Sequence, residues 1–488
     1  MPTEQDFETL IKQLEEMGCT TDIGITAAII KAWGRGLPEV LNQTTELPKR
    51  KPTPLYKADM KGMLSSYQFA VALEMIKRHT DLSNDYYVLI SSSTNCLELK
   101  TKTVQVKLAT KRQGASAWLV PSEELLARIK YYKKQKGFIT AKANVDTGNL
   151  DLLLNEKVVQ SLTPVKSTLP VCSDYLHEFT GSELATINNQ SALLFAQEFA
   201  RLKAKGNDPA QAYTKILFNR LVGKDPQKTV WLEVVTTDTV RMIKAKPKGA
   251  TVTEAFTVDR GSFLKQVASW KALKLHKVEG NVTFEGVDID GKMKAAICTK
   301  GFGTELTVLV PQGDEEFMNY QKLFPKSHSH ALEVDSELFK EALDECLLLH
   351  KPRTEKRILL NFTAGTCEVE MQAFEYVDVE VPWPDEAGVD VMVKNIKGET
   401  VVRTRMEQEV KALHTTSVPL LKGSAFYSST CRLALNGNFL LDCIAVQAAS
   451  LDRMRLEFTD YQTPAMVTID NHKQLPEVTW LLMPIDLK

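Results

Sequence analysis

The chain has 488 residues and a mass of 54.6 kDa, with 43% hydrophobic and 25% charged residues and a formal net charge of −1. That balance is globular, and the length exceeds one ordinary core and suggests roughly three domains. No apolar run approaches the roughly 20 residues that cross a bilayer, and Pro2-Thr3-Glu4-Gln5-Asp6 offers neither a basic start nor an apolar core, which argues against a membrane span or signal peptide and for a cytoplasmic protein. The eight cysteines are scattered without a CxxC pair and read as reduced thiols.

The small net charge hides an asymmetry. Met63 to Cys172 carries fifteen Lys or Arg against nine Asp or Glu, whereas Ser329 to Lys488 carries sixteen against twenty-five. Ends of opposite sign suit head-to-tail association, with plain solvated surface as the alternative.

Residues 1–61 read as a helical N-terminal extension. Phe7, Leu10, Ile11 and Leu14 recur at helical spacing, as do Ile25, Ala28, Ile29, Ala32 and Trp33, and Pro48-Lys49-Arg50-Lys51-Pro52-Thr53-Pro54 marks a linker. A docking appendage and a helical cap on the next domain are both open. From Met63 a pattern of helix, strands, helix, strands occurs three times. The first unit has a helix at Tyr67 to Lys77, strands at Tyr86 to Ser91, Cys96 to Lys100 and Thr103 to Ala109, and a second helix over Pro121 to Lys134, with Glu123 and Glu124 at the positive end of its dipole. Strands at Phe138 to Asn144, Leu150 to Leu154 and Val158 to Leu162 complete it.

In the second unit Thr180 caps a helix beginning near Glu183, strands follow at Thr229 to Val235 and Val240 to Ala245, and a helix spans Arg260 to Ala272. Thr251 to Val258, Asn281 to Glu285, Lys294 to Thr299 and Thr304 to Val310 read as its other strands. Leu338, Phe339, Ala342, Leu343, Cys346 and Leu347 begin the third unit's helix. A second helix there follows an Asn436 cap, with Phe439, Leu440, Cys443 and Ile444 on one face, and strands at Arg453 to Phe458, Ala465 to Ile469 and Val478 to Met483 close the chain.

Several of these pieces carry a family resemblance. Asn436-x-x-Phe439-Leu440-Leu441-Asp442, then Arg455-Leu456-x-Phe458-Thr459-Asp460, then Leu481-Leu482-Met483-Pro484-Ile485-x-Leu487 resemble, in order and spacing, the end of the bacterial DNA polymerase III beta subunit, the beta sliding clamp. Tyr320-Gln321-Lys322-Leu323-Phe324-Pro325-Lys326 and the following Leu332-Glu333-Val334-x-x-x-Leu338-Phe339-Lys340-x-Ala342 are similar to that family's second linker. The resemblance covers Met63 to Lys488, weakest between Leu202 and Val230 and interrupted by an insertion at about 383–427, read as a surface excursion of a divergent, enlarged member.

What the resemblance implies is an α+β fold of three repeated DNA-clamp units, with helices lining a ring interior and sheets outside. Its domains would be 62–172, 173–328 and 329–488. Two chains joined head to tail, meeting at Val159 and Leu162 of one and Leu348 and Leu349 of the other, would encircle double-stranded DNA. The chain would act as a processivity factor without catalysis or cofactor. Basic groups on the helices would meet phosphates without reading sequence: Lys77, Arg78, Arg128, Lys130, Lys133 and Lys134 in the first unit, and Arg201, Lys203, Arg260, Lys265 and Lys271 in the second. A pocket between the second and third units would take the peptide motifs of DNA polymerase and other clamp-binding proteins. Thr237, Thr239, Val240, Arg241 and Met242 match one family loop, and Lys322, Leu323, Asn436, Phe439, Pro464, Met483, Pro484 and Ile485 match other pocket positions. Thr239-Val240 stands where the family has Gly-His, Lys322 and Asp486 where it has Arg, and Lys488 is extra, which changes the peptide preference more than the pocket. No GKS or GKT loop is present, so the ATP used for loading would be hydrolysed by a separate clamp loader.

Two other classes compete. A non-ring interaction module would keep fold and pocket without encirclement. A metal-dependent hydrolase would need ligands, and Ser327-His328-Ser329-His330 has no supporting carboxylate cluster, Asp288-Ile289-Asp290-Gly291 reads as a hairpin turn rather than a calcium loop, and Gly301-Phe302-Gly303 reads as a strand turn.

Overall fold

The computed structural model describes residues 64–485, except 83–84, 94, 111–115, 166–174, 176, 203–213, 224–229, 314–316, 351–355, 364–365, 383–391, 395–399, 403, 427–429, 446–452, 461 and 471–476. The expected N-terminal extension therefore lies outside the described residues.

Among the described residues one theme recurs six times: an extended segment, a helix, then antiparallel strands. The first pass has α1 (Ser66–His79), β1 (Tyr87–Ser93), β2 (Cys96–Lys100) and β3 (Val104–Ala109), and the second has β4 (Ser116–Pro121), the short helices α2 (Ser122–Leu126) and α3 (Ile129–Lys134), β5 (Ile139–Ala143), β6 (Leu150–Leu154) and β7 (Lys157–Leu162). The third comprises β8 (Ser182–Asn188), α4 (Asn189–Phe199), β9 (Lys215–Val222), β10 (Val230–Thr237) and β11 (Arg241–Lys246). The fourth comprises β12 (Thr251–Val252), β13 (Phe256–Asp259), α5 (Arg260–Ala272), β14 (Asn281–Ile289), β15 (Lys292–Gly301) and β16 (Thr304–Pro311). The fifth holds β17 (His330–Val334), α6 (Ser336–Leu348), β18 (Arg357–Thr363), β19 (Glu368–Pro382), β20 (Met392–Lys394), β21 (Thr400–Val402), β22 (Thr404–Pro419) and β23 (Ala425–Phe426). The sixth holds β24 (Thr430–Asn436), α7 (Gly437–Ala445), β25 (Arg453–Phe458), β26 (Ala465–Asp470) and β27 (Glu477–Leu482).

The chain divides into two compact units. The first takes the residues up to Leu193, Phe218–Leu232 and Gly249–Glu315; the second takes Leu194–Leu217, Glu233–Lys248 and the chain from Glu316 onward. In the first unit a nine-stranded sheet runs β12-β8-β14-β15-β16-β3-β2-β1-β4. Its middle joint pairs segments far apart in sequence, Thr304↔Leu108 through Val308↔Val104. β3 alternates buried and half-buried side chains, so one face meets α1 while the other carries Gln105 and Lys107. α1 starts at a capping box, Ser65 with Gln68, and buries Phe69, Leu73 and Ile76. α5 is capped by Asp259, whose side chain accepts from Ser262 N at 2.7 Å. It sinks Phe263 and Trp270 into a ring cluster where Phe218 stacks on Phe256 at 4.6 Å and Phe263 meets Trp270 edge-on at 5.7 Å.

The second unit joins β11 to β27, from Arg241↔Leu482 to Lys246↔Glu477, in a sheet that continues through β26, β25, β17 and β23. A second sheet, β22-β19-β18-β24, packs under α6.

Some boundaries differ from the sequence reading. No helix starts near Glu183: Ser182–Asn188 is strand β8, carrying β-branched Thr186 and Ile187, and the helix opens at Asn189 with Asn188 Oδ1 accepting from Ser191 N at 2.8 Å. The helix expected over Pro121 to Lys134 breaks in two where Arg128 leaves helical geometry (φ −100°, ψ 12°). β9 was not foreseen, and the strand expected over Thr251 to Val258 is two short pieces. The excursion at 383–427 is in part a continuation of the sheet, because β22 pairs with β19 along its whole length, from Thr404↔Pro382 to Pro419↔Glu368.

Candidate functional site

The residues matched to a peptide pocket all fall in the second unit and centre on the β10–β11 turn. Asp238 N donates to Arg241 O at 3.0 Å, closing a two-residue turn of Thr239 and Val240. Thr239 has φ +83°, the left-handed region that glycine adopts freely and a β-branched residue resists. Such positions cost on the order of 1–3 kcal/mol and persist only when their surroundings over-determine them. Here Asp238 Oδ1 accepts from Arg241 N at 2.9 Å, and Thr237 Oγ1 donates to Arg241 O at 2.7 Å.

Arg241 is the anchor of that frame. Its Nε and Nη2 donate to Asp238 Oδ2 at 3.0 and 2.8 Å, its Nη1 donates to Asp442 Oδ2 at 2.6 Å, and its guanidinium lies 4.1 Å from the centre of the Phe439 ring. With its side chain 3% exposed, Arg241 ties the turn to α7 and cannot reach a ligand. Arg201 joins the same node, donating to Asp442 O at 3.2 Å while its own carbonyl accepts from Arg241 Nη2 at 3.3 Å. Of the expected pocket residues, Thr237, Met242 and Asn436 are also buried, and Ile485 packs against Leu359, Phe374 and Ala434. These positions build the frame rather than line its surface.

A second node holds the linker. Tyr320 donates its hydroxyl to buried Glu233, and Lys244 Nζ lies 3.8 Å from the same carboxylate and 4.1 Å above the Phe324 ring. Burial pushes the Lys244 ammonium below its ordinary pKa, and Glu233 opposes that shift. Tyr320 packs with Val235, Met242 and Leu481, which places the linker on β11 and β27. Exposed apolar side chains remain at Val240, 36%, Leu323, 42%, and Met483, 43%. Met483 N donates to Val240 O at 3.2 Å, and Pro464 precedes the Ala465↔Leu482 pair, so Val240, Met483 and Pro464 are neighbours at one sheet end. Thr239 and Lys322 are exposed, and Pro484 is half-buried.

Of the cationic residues expected to face DNA, Lys77, Lys130, Lys134, Lys265 and Lys271 are exposed on their helices, and Lys133 is exposed while bonded to Glu74 at 2.8 Å. Four others are placed differently. Arg260 is buried, Arg201 belongs to the Arg241 node, Arg128 donates to the Val159 carbonyl, and Arg78 donates to Ser269 Oγ at 3.0 Å. Lys203 lies outside the described residues. Ser269 also bonds His79 Nε2 at 2.8 Å, fastening α1 to α5. Burial holds the His79 pKa down at about 3, with the charges of Arg78 and Lys265 acting in the same direction.

Leu348, 82% exposed, and Leu349 stand in solvent at the end of α6, and β7 is an edge strand. Leu162 of that strand is buried and Val159 is half-buried. His330 is buried in β17 with its pKa lowered by burial, and among the described residues no group of three or more His, Cys, Asp or Glu is placed to share a metal ion. The positive φ of Asp290 and Gly291, and of Phe302 and Gly303, makes hairpin turns of both segments. Among the described residues no helix is long and apolar enough to cross a membrane. The sequence reading missed Glu233, Asp238, Lys244 and Ser269 as positioning residues. Only Asp238 left a local trace, an Asx residue at a turn.

No family model matches the chain, and no curated protein matches it. Solved structures do. The Helicobacter pylori beta clamp bound to a DNA ligase peptide is 18% identical over 88% of this chain and 100% of its own, with a TM-score of 0.56. The DNA polymerase III subunit beta sliding clamp of Bartonella birtlesii bound to griselimycin is 16% identical over 87% and 99%, with a TM-score of 0.58. The Caulobacter crescentus beta sliding clamp, at 14% identity, covers 87% and 98% with a TM-score of 0.57. At these identities the likeness establishes a shared fold.

Proposed function

From a chain with the fold of the bacterial beta sliding clamps, we propose a processivity factor that acts without catalysis. Two copies, head to tail, would enclose double-stranded DNA, and the exposed side chains of Val240, Met483 and Leu323 would hold peptide motifs of DNA polymerase and other clamp-binding proteins after a separate ATP-dependent loader closes the ring. The observation that carries this reading is an exposed apolar surface on a polar frame whose donors and acceptors are already engaged. Arg241, Asp238, Asp442, Glu233 and Tyr320 satisfy one another, so a peptide meets fixed walls and loses less ordering entropy on binding. The duplex needs no tight site. Lysines such as Lys77, Lys265 and Lys271 supply weak, salt-sensitive phosphate contacts compatible with sliding, and retention is topological.

Loaded chain should stay on nicked circular DNA and fall off after linearisation. Dissociation from both forms at the same rate would sink the ring. Replacing Met483 and Val240 together by alanine should weaken a polymerase-derived peptide by about 1–3 kcal/mol, leaving self-association unchanged. The non-ring module retains support from one observation: the solvent face of α6 is acidic, with Glu337, Glu341 and Glu345 exposed. Peptide binding without retention on the nicked circle would favour that alternative.

A further inference from the structure

β19 and β22, at 15 and 16 residues, outgrow the support beneath them. Among the described residues β18 pairs with β19 only from Glu370 to Phe374, and from Glu375↔Lys411 to Pro382↔Thr404 the two long strands pair with each other alone. Tyr376 marks the boundary, its ring 4.6 Å from the Arg357 guanidinium and edge-on to Phe374 at 5.7 Å. Beyond it runs a two-stranded ribbon with exposed or half-exposed side chains on both faces, an arrangement only marginally stable by itself in water. One face pairs Tyr376 with Val410 and Glu380 with Met406, which is 64% exposed; the other sets Val377 and Val379 opposite Glu409 and Glu407. Residues 375–382 and 404–411 together carry five carboxylates against two cations. Among the described residues β22 is also the edge of its sheet, and no described strand neighbours one row of its backbone groups there.

A surface of matching character lies in the first unit. β7 is the edge of the three-stranded β5-β6-β7 sheet, with a bulge at Val159 where the pairing to β6 shifts. Arg128 holds that bulge through the Val159 carbonyl, and beside it lies a groove of about 420 Å³ whose lining is mixed, Ala127, Val158 and Leu162 together with Arg128, Gln160 and the single carboxylate Glu124. Lys130, Lys134 and Lys157 are exposed on the neighbouring segments. An open strand edge with Arg128 and three lysines near it on one side corresponds to an open edge and an excess of carboxylates on the other.

We propose that the acidic ribbon of one copy clasps the β7 edge of a second copy, with its carboxylates set against Arg128 and the lysines around that edge, so that the ribbon braces the seam between copies. This rests on the head-to-tail reading above and adds to it a partner for the ribbon. Six residues of β7 span ~20 Å and the eight ribbon residues of β22, from Thr404 to Lys411, span ~27 Å, so the ribbon is long enough to cover the whole β7 edge.

Sedimentation equilibrium of the full chain tests this against two variants. In one, Val377 to Glu409 are replaced by Asn-Gly, which leaves Tyr376 and Val410 flanking a tight turn. In the other, Glu407→Lys and Glu409→Lys reverse the charge with the hairpin intact, so the test survives a misfolded deletion. Both should weaken self-association about tenfold at low salt, and adding Lys130→Glu and Lys134→Glu to the reversed chain should restore it. A full chain that self-associates no better than the charge-reversed variant overturns the brace and leaves the clamp reading standing. A full chain that stays monomeric at micromolar concentration overturns both.

Discussion

α5 and α6 are two thirteen-residue helices built to the same plan, with opposite outward faces. Each begins at an aspartate N-cap, Asp259 or Asp335, and each buries an apolar stripe, Phe263, Val267 and Trp270 in one and Phe339, Leu343 and Leu347 in the other. Outward, α5 presents Lys265 and Lys271 alongside Gly261 and Ala268, whereas α6 presents Glu337, Glu341 and Glu345. The inward stripe is dictated by the core. The outward face is free of that constraint, so its charge reports on what each helix meets, and a phosphate backbone attracted to α5 would be repelled by α6.

The two helices also differ in how they are fastened, which sets the largest expected effect. α5 is tied to α1 through Ser269, shared by Arg78 and neutral, buried His79. The His79 pKa of about 3 lies below the ordinary 6.5 chiefly through burial, then through Arg78 and Lys265. Above pH 6.5 neither folded nor unfolded chain binds this proton, and the site adds no pH dependence. Between 6.5 and 3 the unfolded chain takes up a proton that the folded chain refuses, so stability falls with pH by about 1.4 kcal/mol per unit, about 3 kcal/mol by pH 4. Urea unfolding at pH 7, 5.5 and 4.5 should show this loss, and His79→Gln should flatten it. An identical slope in the variant would remove His79 from the account.

Next in size is the cationic face. Lys265→Glu with Lys271→Glu should lower non-specific duplex affinity about tenfold or more at 0.1 M salt, and reduce the slope of log affinity against log salt by about 2. A loss of affinity with an unchanged slope would mean that these lysines do not meet phosphates.

The caps give a smaller contrast. Asp335 Oδ1 accepts from two backbone donors, Glu337 N at 2.9 Å and Leu338 N at 3.1 Å, whereas Asp259 accepts from Ser262 N alone. Alanine at either position should cost about 1 kcal/mol, with Asp335 the more expensive by a few tenths, read as a shift in the denaturation midpoint. Reversal of that order would show that packing at Asp259 outweighs the count of capped donors.

How much of this was legible in the sequence follows from the range of each interaction. The α5 and α6 stripes were readable because Phe263, Val267 and Trp270, like Phe339, Leu343 and Cys346, repeat at helical spacing and their burial needs no knowledge of the partner surface. The β8 strand misread as a helix failed for the converse reason. Leu184, Ala185 and Ile187 fit either period over so short a run, and the choice is made by pairing to β14, nearly a hundred residues away in the sequence. In the candidate site, Val240 and Met483 were named from the family resemblance with their exposure still unknown. Arg241 was misjudged, because its use depends on Asp442, 201 residues distant. Arg78 and Arg128 were read as free cations for a similar reason: a hydroxyl on α5 and a bulged carbonyl on β7 engage them, and neither is visible in a window of local sequence.

The smallest effect is the most discriminating for the two helices. Glu341 is exposed on α6, one turn before Glu345, so Glu341→Lys replaces an i,i+4 repulsion with an attraction and should change stability by no more than about 0.5 kcal/mol. Any change in duplex binding then reports on charge at that face rather than on folding. If the duplex passes both helices, removing one carboxylate and adding one ammonium should raise non-specific affinity by about two- to fourfold at low salt, with the gain fading as salt screens it. If α6 faces a protein instead, duplex affinity should stay flat while self-association or peptide binding shifts. Measured beside the Lys265 and Lys271 reversals at the same salt, the sign and size of this change separate a duplex that senses every helix from one held chiefly by the first unit.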